Sequence, residues 1–217
     1  MGSTRVAIID YGIGNVKSIS NAFEKIAVVP FLSAKRDEIL NADCLVLPGV
    51  GAFSTGMKNL NKSDLVPVIK EFVNTGKPFL GICLGMQMLF EESEEFGTTK
   101  GLGLIEGKTI KLPVDTSKGE RLPHVSWNEI SPPINKTWEK TILENISPKS
   151  DVYFVHSFMA KPVDEDNILA ICEYGGINFC AATKKNNIYG VQFHPEKSGD
   201  IGLYILQNFI HLAKKLK

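Results

Sequence analysis

Four short runs in the first half of this 217-residue sequence, "RVAIID", "AVVPFL", "ADCLVLPG" and "KPFLGIC", are apolar almost throughout, and amphipathic segments separate them. A strand with one face in water alternates polar and apolar residues; a run without that alternation must be covered on both faces. Between the runs, "VKSISNAFEKI" spaces Val16, Ile19, Phe23 and Ile26 along one helical face, and "KRDEIL" reads as a short helix. Residues 63–75, "SDLVPVIKEFVNT", read as a helix capped by Ser63, with Pro67 in its first turn and Gly76 past its end. Strand and helix in alternation predict a parallel sheet with helices on both faces. The length suits one domain over residues 1–217.

The second half is less regular. "GLIEGKTIKL", "PHVSWNEI", "DVYFVHSFMA", "NILAICEY", "FCAATKKN" and "NIYGVQFHP" read as short strands joined by turns, which predicts an antiparallel or mixed continuation of the sheet. "DIGLYILQNFIHLAKKL" closes the chain as an amphipathic helix. In parallel sheets ligands bind beyond the carboxyl ends of the strands, and Asp10-Tyr11, Pro48 to Gly51 and Cys83 all fall at such ends. One rim of the sheet is therefore the expected site.

Lys plus Arg and Asp plus Glu number 24 each, so no global field favours nucleic acid or an anionic membrane as a partner. Cys44, Cys83, Cys172 and Cys180 form no C-x-x-C pair and are too few for a disulfide scaffold of this length. "MGSTRVAIIDYG" contains neither a signal-peptide core nor a membrane span. A cytoplasmic location is expected.

The chemistry concentrates at "GICLG". A residue at a sharp strand-to-helix turn needs small neighbours, which Gly81 and Gly85 supply, and a helix N-terminus there would favour the thiolate of Cys83. A thiol nucleophile needs a base, and the base needs an orienting acceptor. His194 in "VQFHPEKS" has Glu196 two residues on, with Pro195 stiffening the step, so the carboxylate can hold the imidazole in one tautomer. His211, beside lysines in the terminal helix, reads as a surface residue; His124 and His156 read either as ligands or as satisfied structural histidines. The two glycines of "LPGVGAF" leave backbone N–H groups free to form an oxyanion hole. "YGIGN" lacks the third glycine of a dinucleotide fingerprint, and the scattered Cys and His residues lack zinc-ligand spacing. Neither a cofactor nor a metal is expected.

Together, "GICLGMQ", "LPGVGAF" and "VQFHPEKS" resemble a class I, triad-type glutamine amidotransferase over essentially the whole chain. With "DYGIGNVKS", "GICLGMQMLFEESEE", "GLGLIEGK", "LPHVSWN" and "YFVHSF", the chain is similar to the glutaminase subunits of imidazole glycerol phosphate synthases; the serine of "PHVSWN" stands where that family has glycine. The resemblance implies a flavodoxin-like, doubly wound, mostly parallel sheet with an antiparallel extension. It implies a Cys83, His194, Glu196 triad, an oxyanion hole from the N–H groups of Val50, Gly51 and Leu84, and glutamine recognition by Gly49, Gly51, Gln87, Glu95, Ser157 and Phe158. It further implies a separate (β/α)₈-barrel cyclase partner that uses the ammonia to make imidazole glycerol phosphate and AICAR in histidine biosynthesis, met through Asn15, Trp127, Tyr153 and Lys197. A paralogue feeding another synthase, for instance one modifying a surface sugar, and a free-standing γ-glutamyl thiol hydrolase remain the alternatives.

Overall fold

The computed structural model describes residues 4–215, so the first three and last two residues of the expected 1–217 domain lie outside the described residues. The first half comprises β1 (Val6–Ile9), α1 (Val16–Lys25), β2 (Phe31–Ser33), α2 (Arg36–Leu40), β3 (Cys44–Leu47), α3 (Phe53–Lys62), α4 (Leu65–Asn74), β4 (Phe79–Ile82) and α5 (Leu84–Gln87). The second half comprises β5 (Glu92–Ser93), β6 (Thr99–Lys100), β7 (Gly107–Lys111), β8 (His124–Ile130), β9 (Ser150–His156), β10 (Phe158–Pro162), β11 (Ile168–Tyr174), β12 (Ile177–Lys185), β13 (Ile188–Val191) and α6 (Gly199–Lys215).

The parallel part of the sheet runs β2-β1-β3-β4-β13, and β12, β10 and β7 continue it antiparallel, with short β5 and β6 at the far edge. This is the expected mostly parallel sheet with an antiparallel extension. All residues of β1, β3, β4 and β13 are buried, as two covered faces require. Period-two alternation divides them: Val6 and Ile8 join Phe23 of α1 and Phe209 of α6 in one core, while Ala7 and Ile9 join Phe53, Ile69 and Phe72 of α3 and α4 in the other. A separate antiparallel ribbon, β8 with β9, stands off the main sheet.

Several boundaries differ from expectation. The strand expected at "AVVPFL" begins only at Phe31: Ala27, at φ 58°, closes α1 by donating to the Glu24 carbonyl, and Pro30 has no N–H to give a ladder. Ser63 does not cap α4 but ends α3, its N–H donating to Asn59, and Asp64 turns the chain at φ 51° before α4 starts at Leu65. Helix α3 itself was not expected, although Phe53, Met57 and Leu60 are buried at the spacing of one helical face. "DVYFVHSFMA" is two strands, because the chain leaves β8 at Ser157 and pairs next with β7. Among the described residues no helix is long and apolar enough to cross a membrane.

Since β1, β3, β4 and β13 are parallel, their carboxyl ends open on one rim. Tyr11, Pro48 to Gly51, Cys83 and His194 meet there.

Candidate active site

Cys83 occupies a strained corner, at φ 55° and ψ −110°, between β4 and α5. Its N–H is held by the Val191 carbonyl at 2.8 Å, extending the β4–β13 pairing by one residue. The turn is possible only with glycine on both sides. A Cβ on Gly85 would lie 1.9 Å from the Leu47 carbonyl oxygen of β3, and one on Gly81 would lie 2.6 Å from the Gly85 oxygen. Helix α5 has only four residues, so the corner geometry rather than a long helix dipole presents the sulfur. The other cysteines are buried thiols; burial pushes Cys172 and Cys180 up to about 12.

His194 follows β13 and is anchored to the ribbon: its N–H donates to the Tyr153 carbonyl at 2.9 Å, and the Ser198 hydroxyl, which donates to the His194 carbonyl, accepts from Tyr153 N–H. A single helical turn, Pro195–Lys197, brings Glu196 back so that its Oε1 lies 2.8 Å from His194 Nδ1. The carboxylate accepts the Nδ1 proton, which leaves Nε2 as the position where a proton is taken up or released beside the sulfur. Nε2 is buried and makes no protein hydrogen bond of ordinary geometry. Burial opposes a charged ring, but Cys83 and Glu196 outweigh it and raise the proton affinity of His194 well above the usual histidine range.

Gln192, which the sequence does not single out, and Tyr11, expected only to lie at the rim, complete this corner. Gln192, buried at the end of β13, places Nε2 3.7 Å from Cys83 Sγ, and its Oε1 accepts from Gln87 Nε2 at 3.0 Å. A glutamine inside the apolar run "YGVQF" was the available signal. Tyr11, also buried, donates its hydroxyl to the Pro48 carbonyl at 2.7 Å and so holds the segment entering "PGVG". Burial, with the charge of Cys83 second, raises its pKa, so it remains a donor.

A cleft of about 400 Å³ opens over the sulfur, lined by Val50, Gly51, Cys83, Leu84, Gln87, Glu95, Phe96, Pro123, Val155, His156, Ser157, Phe158 and His194. Within it, Val50, Gly51 and Leu84 have N–H groups that donate to no acceptor among the described residues. Gly49 lies behind the lining, where a Cβ would come within 2.8 Å of both Leu84 and the Gly85 nitrogen. Gln87 Nε2 donates to the Phe158 carbonyl at 3.0 Å as well as to Gln192. Glu95 accepts from Phe53 N–H at 2.6 Å at the start of α3, whereas Glu91 accepts from Gly107 N–H and Glu94 pairs with Lys108. Only tertiary placement separates Glu95 from its acidic neighbours. Glu196 lies outside the lining, behind His194.

Trp127 and Tyr153 face each other across β8 and β9 with ring centroids 6.0 Å apart, and Lys197 Nζ lies 5.5 Å from the Tyr153 ring centroid. Asn15 stands apart from these three; it caps α1, accepting from Ser18 N–H, and α1 touches the Pro195–Lys197 turn. His124 and His156 bond to each other inside the ribbon, and no cluster of three or more His, Cys, Asp or Glu able to hold a metal occurs among the described residues.

The family description "Glutamine amidotransferase class-I" matches residues 7–212. Imidazole glycerol phosphate synthase subunit HisH 1 of Legionella pneumophila (strain Lens) is 48% identical over 210 residues, covering 95% of this chain and 99% of that protein. The HisH subunit of Bacillus subtilis (strain 168) is 42% identical over 214 residues, 98% of each chain. The solved structure of PurLQS from Thermotoga maritima superposes with a TM-score of 0.71 at 20% identity, covering 100% of both chains; that likeness is one of fold.

Proposed function

The chain belongs to the class I glutamine amidotransferases, and from that premise we propose that it is the glutaminase subunit of an imidazole glycerol phosphate synthase, active in histidine biosynthesis. The observation that carries the chemistry is the arrangement at the rim: a buried imidazole fixed by Glu196 at 2.8 Å, its other nitrogen without a protein partner, beside a thiol on a strained corner.

In this reading Cys83 Sγ bonds to the side-chain amide carbon of glutamine while its proton passes to His194 Nε2. Glu196 stabilises the resulting imidazolium and keeps the ring from rotating. The N–H groups of Val50, Gly51 and Leu84 receive the oxyanion of the tetrahedral intermediate. His194 then gives its proton to the departing nitrogen, the C–N bond breaks, and ammonia leaves a γ-glutamyl thioester. Water, deprotonated by the same nitrogen, cleaves the thioester to glutamate and restores the thiol. Glu95 meets the substrate ammonium group, and Gly49, Gly51, Gln87 and the backbone of Ser157 and Phe158 hold the remainder.

Ammonia released into water is protonated and lost as a nucleophile, so the product calls for an enclosed route to its acceptor. We infer a (β/α)₈-barrel cyclase as the partner, docked on the Trp127, Tyr153 and Lys197 face with Asn15 at its margin. A cytoplasmic site of action and one amidotransferase domain over residues 1–217 belong to the same proposal.

The test is glutamine hydrolysis and glutamine-dependent synthesis with and without the candidate cyclase and its nucleotide. Cys83→Ala is expected to abolish both while the complex still synthesises product from added ammonium salt. Glutamine hydrolysis retained by Cys83→Ala would overturn the nucleophile. Full hydrolysis by the isolated chain, unaffected by the cyclase, would instead favour the free-standing hydrolase.

A further inference from the structure

The inward row of β8 breaks the rule that governs the rest of the fold. Residues alternate along a strand, and on β8 Val125, Trp127 and Glu129 face out while His124, Ser126 and Asn128 turn in. A polar inner row is expensive to bury unless every member is paired. Here the members are paired, and in one direction.

The chain of bonds begins at the glutamine cleft. His156 Nδ1 lies 2.8 Å from the Phe158 carbonyl oxygen. A carbonyl only accepts, so this nitrogen carries the proton. Burial, the main cause, with His124 and His194 adding to it, lowers the His156 pKa to about 3, so the ring is neutral and its Nε2 is an acceptor. His124 Nδ1, 3.0 Å away, must therefore donate to it. Burial lowers His124 too, leaving its Nε2 with a single lone pair, within reach of the Ser126 hydroxyl at 2.9 Å and of the Asn128 side-chain amide at 2.8 Å; Ser126 and Asn128 also bond to each other, and with Nδ1 as the donor, one of the two must donate to Nε2. Stacking on Tyr174, at 3.9 Å between centroids, and contacts with Phe154 and Phe179 leave the His124 ring little freedom to rotate.

The cleft end matters for chemistry because the Phe158 carbonyl also receives Gln87 Nε2, whose second acceptor is Gln192. That fixes the Gln192 amide with its oxygen toward Gln87 and its NH₂ toward the sulfur. The Phe158 carbonyl belongs to the Phe158-Met159 peptide, at the start of β10 where the chain passes from the ribbon to the main sheet, and the Ser157 carbonyl just before it accepts from Leu112 N–H at 2.9 Å.

We propose that His124 and His156 are positioning residues for glutamine: a neutral pair with both protons on Nδ1, fixing the Phe158 peptide, and through Gln87 and Gln192 the amide that faces Cys83. The role rests on the glutaminase reading given above.

The first test is direct. Nitrogen-15 NMR of the full chain at neutral pH should show both imidazoles protonated at Nδ1, the less common tautomer; Nε2 protonation of His156 would overturn the relay whatever the enzyme's substrate. The second is kinetic, in the complex with its cyclase. His156→Leu should raise the KM for glutamine about tenfold with kcat within about twofold, since a bond that serves ground and transition states alike is lost. His156→Asn, which keeps a donor near Nδ1, should recover most of that loss. Equal KM values for the Asn and Leu variants, or a fall in stability with unchanged KM, would reduce the pair to a structural role. Wild-type activity abolished by Cys83→Ala establishes the glutaminase reading independently, so the two failures are distinguishable.

Discussion

Replacing Gly85 by alanine tests the elbow more sharply than removing the thiol, because it deletes no reacting group. The new Cβ would stand 1.9 Å from the Leu47 carbonyl oxygen, and real Cβ atoms do not approach other atoms closer than 3.0 Å, so either α5 or β3 must move by about 1.1 Å. Neither can yield easily. Leu47 is paired with Gly81 across β3 and β4, and the obstructing atom is backbone rather than the end of a side chain. Forced overpacking of this kind costs roughly 3 kcal/mol. For a chain of this size that corresponds to a fall in melting temperature of roughly 6–12 °C. Displacing the nucleophile by about 1 Å should lower kcat about a hundredfold. Thermal unfolding and steady-state glutaminase assays, run on the same preparation with the cyclase bound, measure both. A melting temperature within about 2 °C of the parent, with kcat within about threefold, would refute the steric basis of the corner.

Acid stability follows from His156. Its folded pKa, about 3, lies below the ordinary histidine value of 6.5, so between these limits the unfolded chain binds the extra proton. Stability present above about pH 6.5 is therefore lost on acidification, at up to roughly 1.4 kcal/mol per pH unit for this group. Urea unfolding of His156→Asn should show a shallower decline below that pH, and identical slopes would contradict the assignment of a neutral buried ring. Trp127, half exposed against Tyr153, is expected to anchor the partner. Trp127→Ala should weaken cyclase binding by about 2 kcal/mol, or roughly thirtyfold, with little change in the melting temperature of the isolated chain. Calorimetric titration measures the first, and unchanged affinity would move the docking face elsewhere.

Much of the parallel half was legible before the structure. β1, β3 and β4 were marked by apolar runs without alternation, and α1 and α6 by their spacing. Helix α3 is obscured by the glycines of "PGVGAF", which read as a loop, though Phe53, Met57 and Leu60 carry a helical period. Ser63 fits a cap and in fact ends the preceding helix, since the same residue types serve both ends of a turn. Within the site, the His194 and Glu196 pair is local, two residues apart, and could be proposed from spacing alone. Glu95 could not be separated from Glu91, Glu92 and Glu94, because its distinction is the N–H of Phe53, brought from 42 residues away.

What the sequence by itself determined is whatever short-range physics decides: two-faced strands, glycines at a corner with no room for a Cβ, and a proline that stiffens the step between an imidazole and a carboxylate. The tertiary structure alone decided what depends on which strands become neighbours. Gln192 reaches Cys83 across 109 positions, and His124 meets His156 across 32. Such contacts are set by pairing β4 with β13 and β8 with β9, and by burial that leaves both ribbon histidines neutral. Residue type and spacing offered His124 as ligand or support; only its neighbours in space determine which proton it holds and to whom it gives it.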